Sequence, residues 1–445
     1  MKILNIILGS LLLMSITACE DLDQFPELEA EASSLTSFEG VLNAAYYYQQ
    51  ASTTPLAIMG DFRADNMLMD EEPYPAFDRF NADLAGGDLV EQFFRPFYSN
   101  LYKSILSANN VIENSVDPIE VGEAKFLRAL SYFKLVKVFG DVTVNLTPSP
   151  SVSDKSILNR QAASDVYNNV IIPDFQAAIT ALDNSEIANG RASQIAAQGM
   201  LGKVYMQIGD FSSAEGQLAA VVNGAAGAGI SLQENFADIF GEENDLNSEI
   251  IFATQLSTSI NDEYGFTLFS GWFSGGDTKS LNPLDSDLIN AFDAIEAADG
   301  GGNSDLRRAL TLDEDNMTGI KWGGLDQDWI ELRFADVILL YAEALNENGA
   351  TAENVLNLLD PIRTRAGLSP LDHSVLNTQA LVRQAIYDER RIELAFEGQR
   401  WFDLVRTGTV DAEMGETINS NYHVFPIPNS EVLASNGEVS QNPGY

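Results

Sequence analysis

Two stretches of the chain carry the side-chain types that hold sugars. A sugar ring offers an apolar C–H face to an aromatic platform and hydroxyl edges to carboxylates, amides or guanidinium groups. "DFRADNMLMDEEPYPAF" places Arg63, Asp65 and Asn66 close in sequence to Tyr74 and Phe77, and "EYGFTLFSGWFSGGD" places Tyr264, Trp272 and Phe273 among glycines. Trp322 and Trp329 lie in a third loop segment. Gly271, Gly275 and Gly276 leave little to cover Trp272, so it is expected to be exposed. For each of these aromatics, packing beneath its own loop is the competing reading, and Arg63 and Asp65 could pair with each other instead of meeting a ligand.

Catalytic chemistry is poorly provided for. His373 and His423 are the only two histidines, and Cys19 is the only cysteine, so a Ser-His-Asp or Cys-His arrangement has almost nothing to draw on. No HExxH, CxxC, GxxxxGK[ST] or nucleophile-elbow motif occurs. The stretch "LDEDNMTG" has the acid content of a calcium loop, but Met317 stands where an oxygen ligand would be needed. No catalytic residue, metal or cofactor is expected. Paired carboxylates for glycoside hydrolysis remain a third possibility on paper, because 65 acidic residues make coincidental pairs inevitable.

The cysteine has a different use. Lys2, an apolar run over Ile3 to Ile16 and the small residues Thr17-Ala18 read as a secretory signal. Ile16-Thr17-Ala18-Cys19 matches a bacterial lipobox, in which the thiol is acylated and Cys19 becomes the first residue. Residues 1–18 are therefore expected to be a signal peptide, 19–33 a lipidated acidic tether, and 34–445 the folded domain, held at a membrane by acyl chains. A net charge of −40 argues against nucleic acid, which needs clustered Lys and Arg, and favours a neutral ligand, a cationic one or a protein partner.

The elements that must position these residues are mainly helical. Thr36 and Glu39 form a capping box before "FEGVLNAAYYYQQ". In "AAQGMLGKVYMQIGDFSSAEGQL", Leu201, Val204, Tyr205 and Ile208 fall on one face, and Leu201, Gly202, Tyr205 and Ala214 take tetratricopeptide-repeat spacings around a Gly209-Asp210-Phe211 turn. Val337, Leu340, Tyr341, Ala344 and Leu345 form a second stripe, and Phe126, Ala129, Leu130 and Phe133 a third. Such hairpins cannot bury their faces alone and must stack into one core. Residues 53–97 and 224–330, rich in Gly, Asn, Asp, Pro and aromatics, lack helical periodicity and are expected to be long ligand-bearing loops, with "EIIFATQLS" a short strand.

"DERRIELAFEGQRWFDLVRTG" (388–408) resembles the signature of the SusD/RagB family of outer-membrane nutrient-binding lipoproteins. So, in order, do "GEAKFLRALSYFKLVKVFGDV", "LRFADVILLYAEALNENG", "PIRTRAGL", "FPIPNSEV" and the terminal "QNPGY", with Gln399 and Val405 as small departures. Glu20-Asp21 after Cys19 is similar to the family's surface-export signal. The resemblance implies tetratricopeptide-like helices carrying irregular loops and a few short strands. It also implies capture of oligosaccharides at the cell surface and a role as lid on a SusC-like TonB-dependent transporter. Some relatives take up peptides, which leaves a peptide-binding protein as the alternative. Arg390, Arg391, Glu393, Arg400, Trp401 and Asp403 alternate with apolar residues in a way that suits a buried ion-pair network better than a ligand site.

Overall fold

Helix α1 (Glu39–Gln49) opens a run of helices that pack one on the next although long insertions separate them in sequence. A computed structural model of the chain describes residues 37–150, 155–259, 269–275, 282–324 and 326–445. Cys19, Thr36 and Tyr264, and with them the proposed signal, tether and capping box, lie outside the described residues. The architecture below is that of the compact unit Glu39–Tyr445.

Helices α2 (Arg95–Asn114) and α3 (Pro118–Phe139) form a hairpin, followed by α4 (Ile172–Ala181), α5 (Gln194–Gln207) and α6 (Phe211–Gly224). The starts are written in the sequence. Asp117, Ser193 and Asp210 each accept a hydrogen bond from a backbone N–H of the first turn, and Pro118 occupies the position where a missing N–H costs nothing. The α5–α6 turn carries Gly209 at φ +75°, a left-handed conformation that favours glycine. Gly202 lets the two helices close: a Cβ there would stand 2.6 Å from Leu218 Cδ2. Leu201, Val204 and Tyr205 are buried as the repeat spacing requires, whereas Ile208 is 40% exposed because the helix has already ended at Gln207.

Strand β1 (Ile250–Thr254) pairs antiparallel with β2 (Trp329–Arg333), with every residue of both strands buried. This short ladder ties both ends of the middle insertion to the frame, and α7 (Ser286–Ala298) lies within that insertion. Then α8 (Phe334–Glu347), α9 (Ala352–Arg365) and α10 (Gln379–Glu393) pack around Ile338, Leu339, Val355, Leu359, Val382 and Ile386. Helix α11 (Arg400–Thr407) ends at Gly408 with φ +69°. The fold is mainly α, as expected.

The first half of 53–97 is not a loop. Thr53–Ala57 is α-helical and Ile58–Phe62 is π-helical, with further short turns at Tyr74–Phe77 and Ala82–Ala85 before α2 begins inside the stretch at Arg95. Residues 51–67 are buried without a break. A helical period appears in a sequence only when one face of the helix is wet, and this segment has none. "GWFSGGD" likewise begins in a short helix, Phe269–Ser274. "LDEDNMTG" forms a two-stranded hairpin, Leu312–Asp313 with Thr318–Gly319, around Met317 at φ 54°.

Candidate functional site

The signature stretch is the hub on which both insertions converge. Between α10 and α11 the chain makes a tight turn, with Phe396 at φ 67° and Gly398 at φ 66°. A phenylalanine in that region is strained and persists only where its surroundings over-determine it. Here they do. Asp61 accepts from Phe396 N (3.2 Å) and Gly398 N (2.8 Å). Lys321 Nζ donates to the carbonyls of Glu393 (3.0 Å) and Ala395 (2.8 Å), and Trp322 Nε1 donates to Phe396 O at 2.7 Å.

Beneath the turn lies a buried ion-pair network. Arg307, Arg333 and Glu393 are fully buried. Glu393 accepts from Arg307 Nη1 (2.8 Å), Arg333 Nη1 (2.7 Å) and Arg365 Nη2. Arg333 also reaches both oxygens of Glu397 (2.8 and 2.9 Å) and Glu249 at 2.9 Å. Burial alone would raise the Glu393 carboxyl, but Arg365, Arg333 and Arg307 hold it well below the usual carboxylate range. A second group links Arg390 to Asp336 (2.8 Å) and Asp403 (3.0 Å), and Arg406 to Asp403 and Glu343. The family signature is thus core architecture, as its alternation of charged and apolar residues suggested.

The candidate sugar-binding residues fall around this hub in five places. Arg63 is fully buried and does not pair with Asp65. It donates to Phe77 O (2.5 Å) and Tyr422 O (2.7 Å) and lies over the rings of Phe80 (4.4 Å) and Trp401 (5.2 Å). Burial pulls its guanidinium down to about 10. Asp65 takes both nitrogens of a bidentate Arg400 (2.7 Å each) and also pairs with Arg391 at 3.0 Å. Asn66 joins Asp61 (2.9 Å) to Arg391 (3.2 Å). Trp322, 4% exposed, stacks on Trp329 with ring centres 5.7 Å apart. Phe273 is fully buried between Phe62 and Phe396.

Tyr74 and Trp272 do come together, edge to face at 5.4 Å, with Phe93 against the same indole at 5.5 Å. Leu68 N donates to Pro283 O and Asp285 N to Asn66 O, and Met67 bridges Leu284, so the early segment and the middle insertion are hydrogen-bonded side by side. The expected exposure of Trp272 is corrected: it is 5% exposed, because Tyr74 and Phe93 arrive from the other segment to cover it. Neighbouring glycines speak only for local cover, and here the cover is nonlocal.

Sequence reading missed the residues that tie the hub, Asp61, Glu249, Arg307, Lys321 and Glu397. The signal was present as single charges inside apolar stretches, such as Arg333 in "WIELRFADVILL". It also missed a cleft of about 570 Å³ between α7, α10 and α11 that reaches Asp65 and Asn66 at one end.

These burials set a pH dependence. Desolvation raises Asp61 from 3.8 to about 6 and Asp328 from 3.8 to about 7. A carboxyl raised on folding binds its proton more tightly in the native state. Its contribution is fully present below the unfolded pKa and is lost as pH rises through the folded one. For Asp61 a shift of this size corresponds to about 3 kcal/mol. Melting temperature is therefore expected to be higher at pH 5 than at pH 8, and a calorimetric scan that rises monotonically from 5 to 8 would contradict this.

The comparisons with known proteins agree with the hub. The SusD family model matches residues 304–445, and a family model described as "Starch-binding associating with outer membrane" matches residues 35–206. The chain belongs to the SusD/RagB family. "SusD-like protein P2" of Formosa agariphila is 25% identical, with 98% of each chain covered. A SusD superfamily crystal structure from Parabacteroides distasonis shares the fold with a TM-score of 0.74 at 21% identity, over 94% of this chain and all of that one. A laminarin-binding SusD-like protein does so at 0.63 and 24% identity, over 92% and 99%.

Proposed function

We propose that this protein is a lipoprotein, acylated at Cys19 and carried on the outer membrane facing outwards. It captures oligosaccharides there and delivers them to a SusC-like TonB-dependent transporter, for which it acts as the lid. In this reading it is a binding protein, with no reaction of its own and no cofactor. The observation that carries it is the meeting of two insertions, distant in sequence, at Tyr74 and Trp272 on one helical frame. The ligand would lie on the surface that this buried join holds in place, and Tyr264, in the same stretch of sequence as Trp272, is a candidate contact in this reading. Family membership and the fold shared with a laminarin-binding protein support the glycan class.

Affinity electrophoresis through gels containing laminarin and other neutral polysaccharides tests the reading. At least one polysaccharide is expected to retard the wild-type chain. Trp272→Ala is expected to weaken that retention by at least about tenfold, equivalent to about 1.4 kcal/mol of binding. Trp272→Phe, which keeps a ring against Tyr74 and Phe93, separates lost contact from lost packing, because both variants can be checked for an unchanged circular dichroism spectrum. Retention by none of the polysaccharides would turn the assignment to peptide ligands on the same scaffold. A Cys19→Ala chain that stayed in the membrane fraction would remove the anchor.

A further inference from the structure

Three lysines share one space beside the signature turn, and only two of them meet a carboxylate. On α3, Lys134 Nζ reaches Glu331 Oε1 at 2.5 Å, Ser52 Oγ at 2.8 Å and Gln49 Oε1 at 3.1 Å. On α5, Lys203 Nζ reaches Asp336 Oδ2 at 2.8 Å. Lys137, one turn beyond Lys134, has no hydrogen bond and no ion pair among the described residues. Its Nζ lies over the ring of Phe402 at 4.2 Å and, more distantly, over that of Phe133 at 5.8 Å.

Two cavities of about 20 Å³ each adjoin this amine, and each has room for about one water. Phe133, Lys137, Lys203 and Gln399 line both. The side-chain amide of Gln399 also makes no hydrogen bond among the described residues. Two polar side chains without partners therefore face the same small space. Both are half-buried, so small solutes can reach them.

The surroundings hold the amine towards its neutral form. Burial pulls Lys137 down to about 7, with Lys203 and Lys134 acting in the same direction and Glu331 and Asp403 against it. The Phe402 ring also favours the ammonium form, but it supplies no acceptor for the three N–H bonds. A desolvated lysine beside other cations is the usual setting of a nucleophilic amine. Lys321 is buried too, yet its three N–H bonds are engaged by Glu393 O, Ala395 O and Glu397 Oε1.

We infer that Lys137 is a modification site for carbon dioxide: its free amine forms a carbamate whose two oxygens occupy the two cavities and face Lys203 and Gln399. The nitrogen lone pair makes the new N–C bond, one C=O electron pair moves onto oxygen, and an N–H proton leaves to solvent. The product is an N-carboxylate, which gives the third lysine position the negative charge that its neighbours find in Glu331 and Asp336. Two spaces of one-water size suit two oxygens and leave no room for a larger acyl group or a sugar aldehyde. The site does not depend on the glycan reading.

Carbon-13 bicarbonate is the probe. The NMR spectrum of the purified full chain in this buffer at pH about 7.5 is expected to show a carbamate resonance that Lys137→Met lacks. Any α-amino carbamate is common to both chains. Triethyloxonium, which esterifies a carbamate oxygen, should leave a trapped adduct that peptide mass spectrometry places on Lys137 of the wild type. Gln399→Leu keeps the amine and removes one donor, and should raise the bicarbonate concentration for half occupancy by about threefold or more. Unchanged circular dichroism spectra verify the fold of both variants. No adduct on Lys137 of the wild type, or a resonance that persists in Lys137→Met, would overturn the assignment. Unaltered occupancy in Gln399→Leu would overturn the placement of the oxygens.

Discussion

Replacing Glu393 by Ala is expected to lower the unfolding free energy by about 3–5 kcal/mol, the range for removing one partner from a buried ion pair. The side chain is fully buried, and Arg307, Arg333 and Arg365 all donate to it. Without it, Arg333 keeps Glu397 and Glu249, and Arg307 keeps Asp305 and Glu389, but one N–H of each of the three guanidinium groups loses its acceptor in a fully buried region. Water cannot replace that acceptor as it would at a surface, where such pairs contribute at most about 1 kcal/mol. Glu393→Gln keeps the shape and one acceptor oxygen, and should fall between the wild type and Ala. Because the fold depresses this carboxyl, its contribution is present above the unfolded pKa and lost as pH falls. The difference between wild type and Glu393→Ala should therefore shrink in strong acid. Urea unfolding at pH 7 and pH 3 measures both effects. A loss below about 1 kcal/mol at pH 7 would show that the network is not a unit.

Gly60→Ala should be comparably damaging, for a steric reason. The Cβ of an alanine would lie 2.3 Å from Gly398 C and 2.4 Å from its Cα and O. These are backbone atoms of the strained turn, so no side chain can rotate away. Gly398 has no room to retreat, since its own missing Cβ would already meet Leu56 O and Trp329 Cζ2 at 2.9 Å. The early segment would have to move off the turn, stretching the bonds from Phe396 N and Gly398 N to the adjacent Asp61. Overpacking of this kind costs about 1–3 kcal/mol, and breaking the Asp61 bonds adds about 1–3 more. Gly40 is the control. It lies in helix α1 with nothing within 4 Å of the place a methyl group would take, so Gly40→Ala should stabilise by about 0.5–1 kcal/mol. Thermal melts of the two variants in parallel would sink the argument if they moved together.

Both predictions bear on function through geometry. Asp61 and Asn66, on either side of Arg63, clamp the early segment to the signature turn, while Tyr74 further along meets Trp272. A loosened turn would shift the two insertions relative to each other. The residues first considered for sugar contact are thus mostly the ones that place the contact surface. Arg63 is the clearest case, since both its terminal nitrogens donate to the protein's own backbone and its flat face meets the protein's own rings.

The helical frame was legible in the sequence where apolar and small residues recur at helical and repeat spacings. Tyr205, Leu201 and Gly202 marked the α5–α6 hairpin by spacing alone, while the caps at Asp117, Ser193 and Asp210 are seen in the structure. The buried character of the charged signature was legible too, since Glu393 stands between Ile392 and Leu394 and Asp403 between Phe402 and Leu404, where isolated solvent-facing charges would make no sense. What tertiary structure alone decided was which charge meets which, and which aromatic is covered. Arg333 and Glu393 are sixty residues apart, and Tyr74 and Trp272 farther still. Local composition carries no term for such partners. The helical segment over 53–62 escaped notice for the same reason: buried on every side by distant elements, it shows no periodic contrast between wet and dry faces. The cleft beside α10 is likewise a product of assembly, because its two ends are contributed by α7, the 371–376 loop and α11, and no one of these segments is polar or aliphatic enough to announce it.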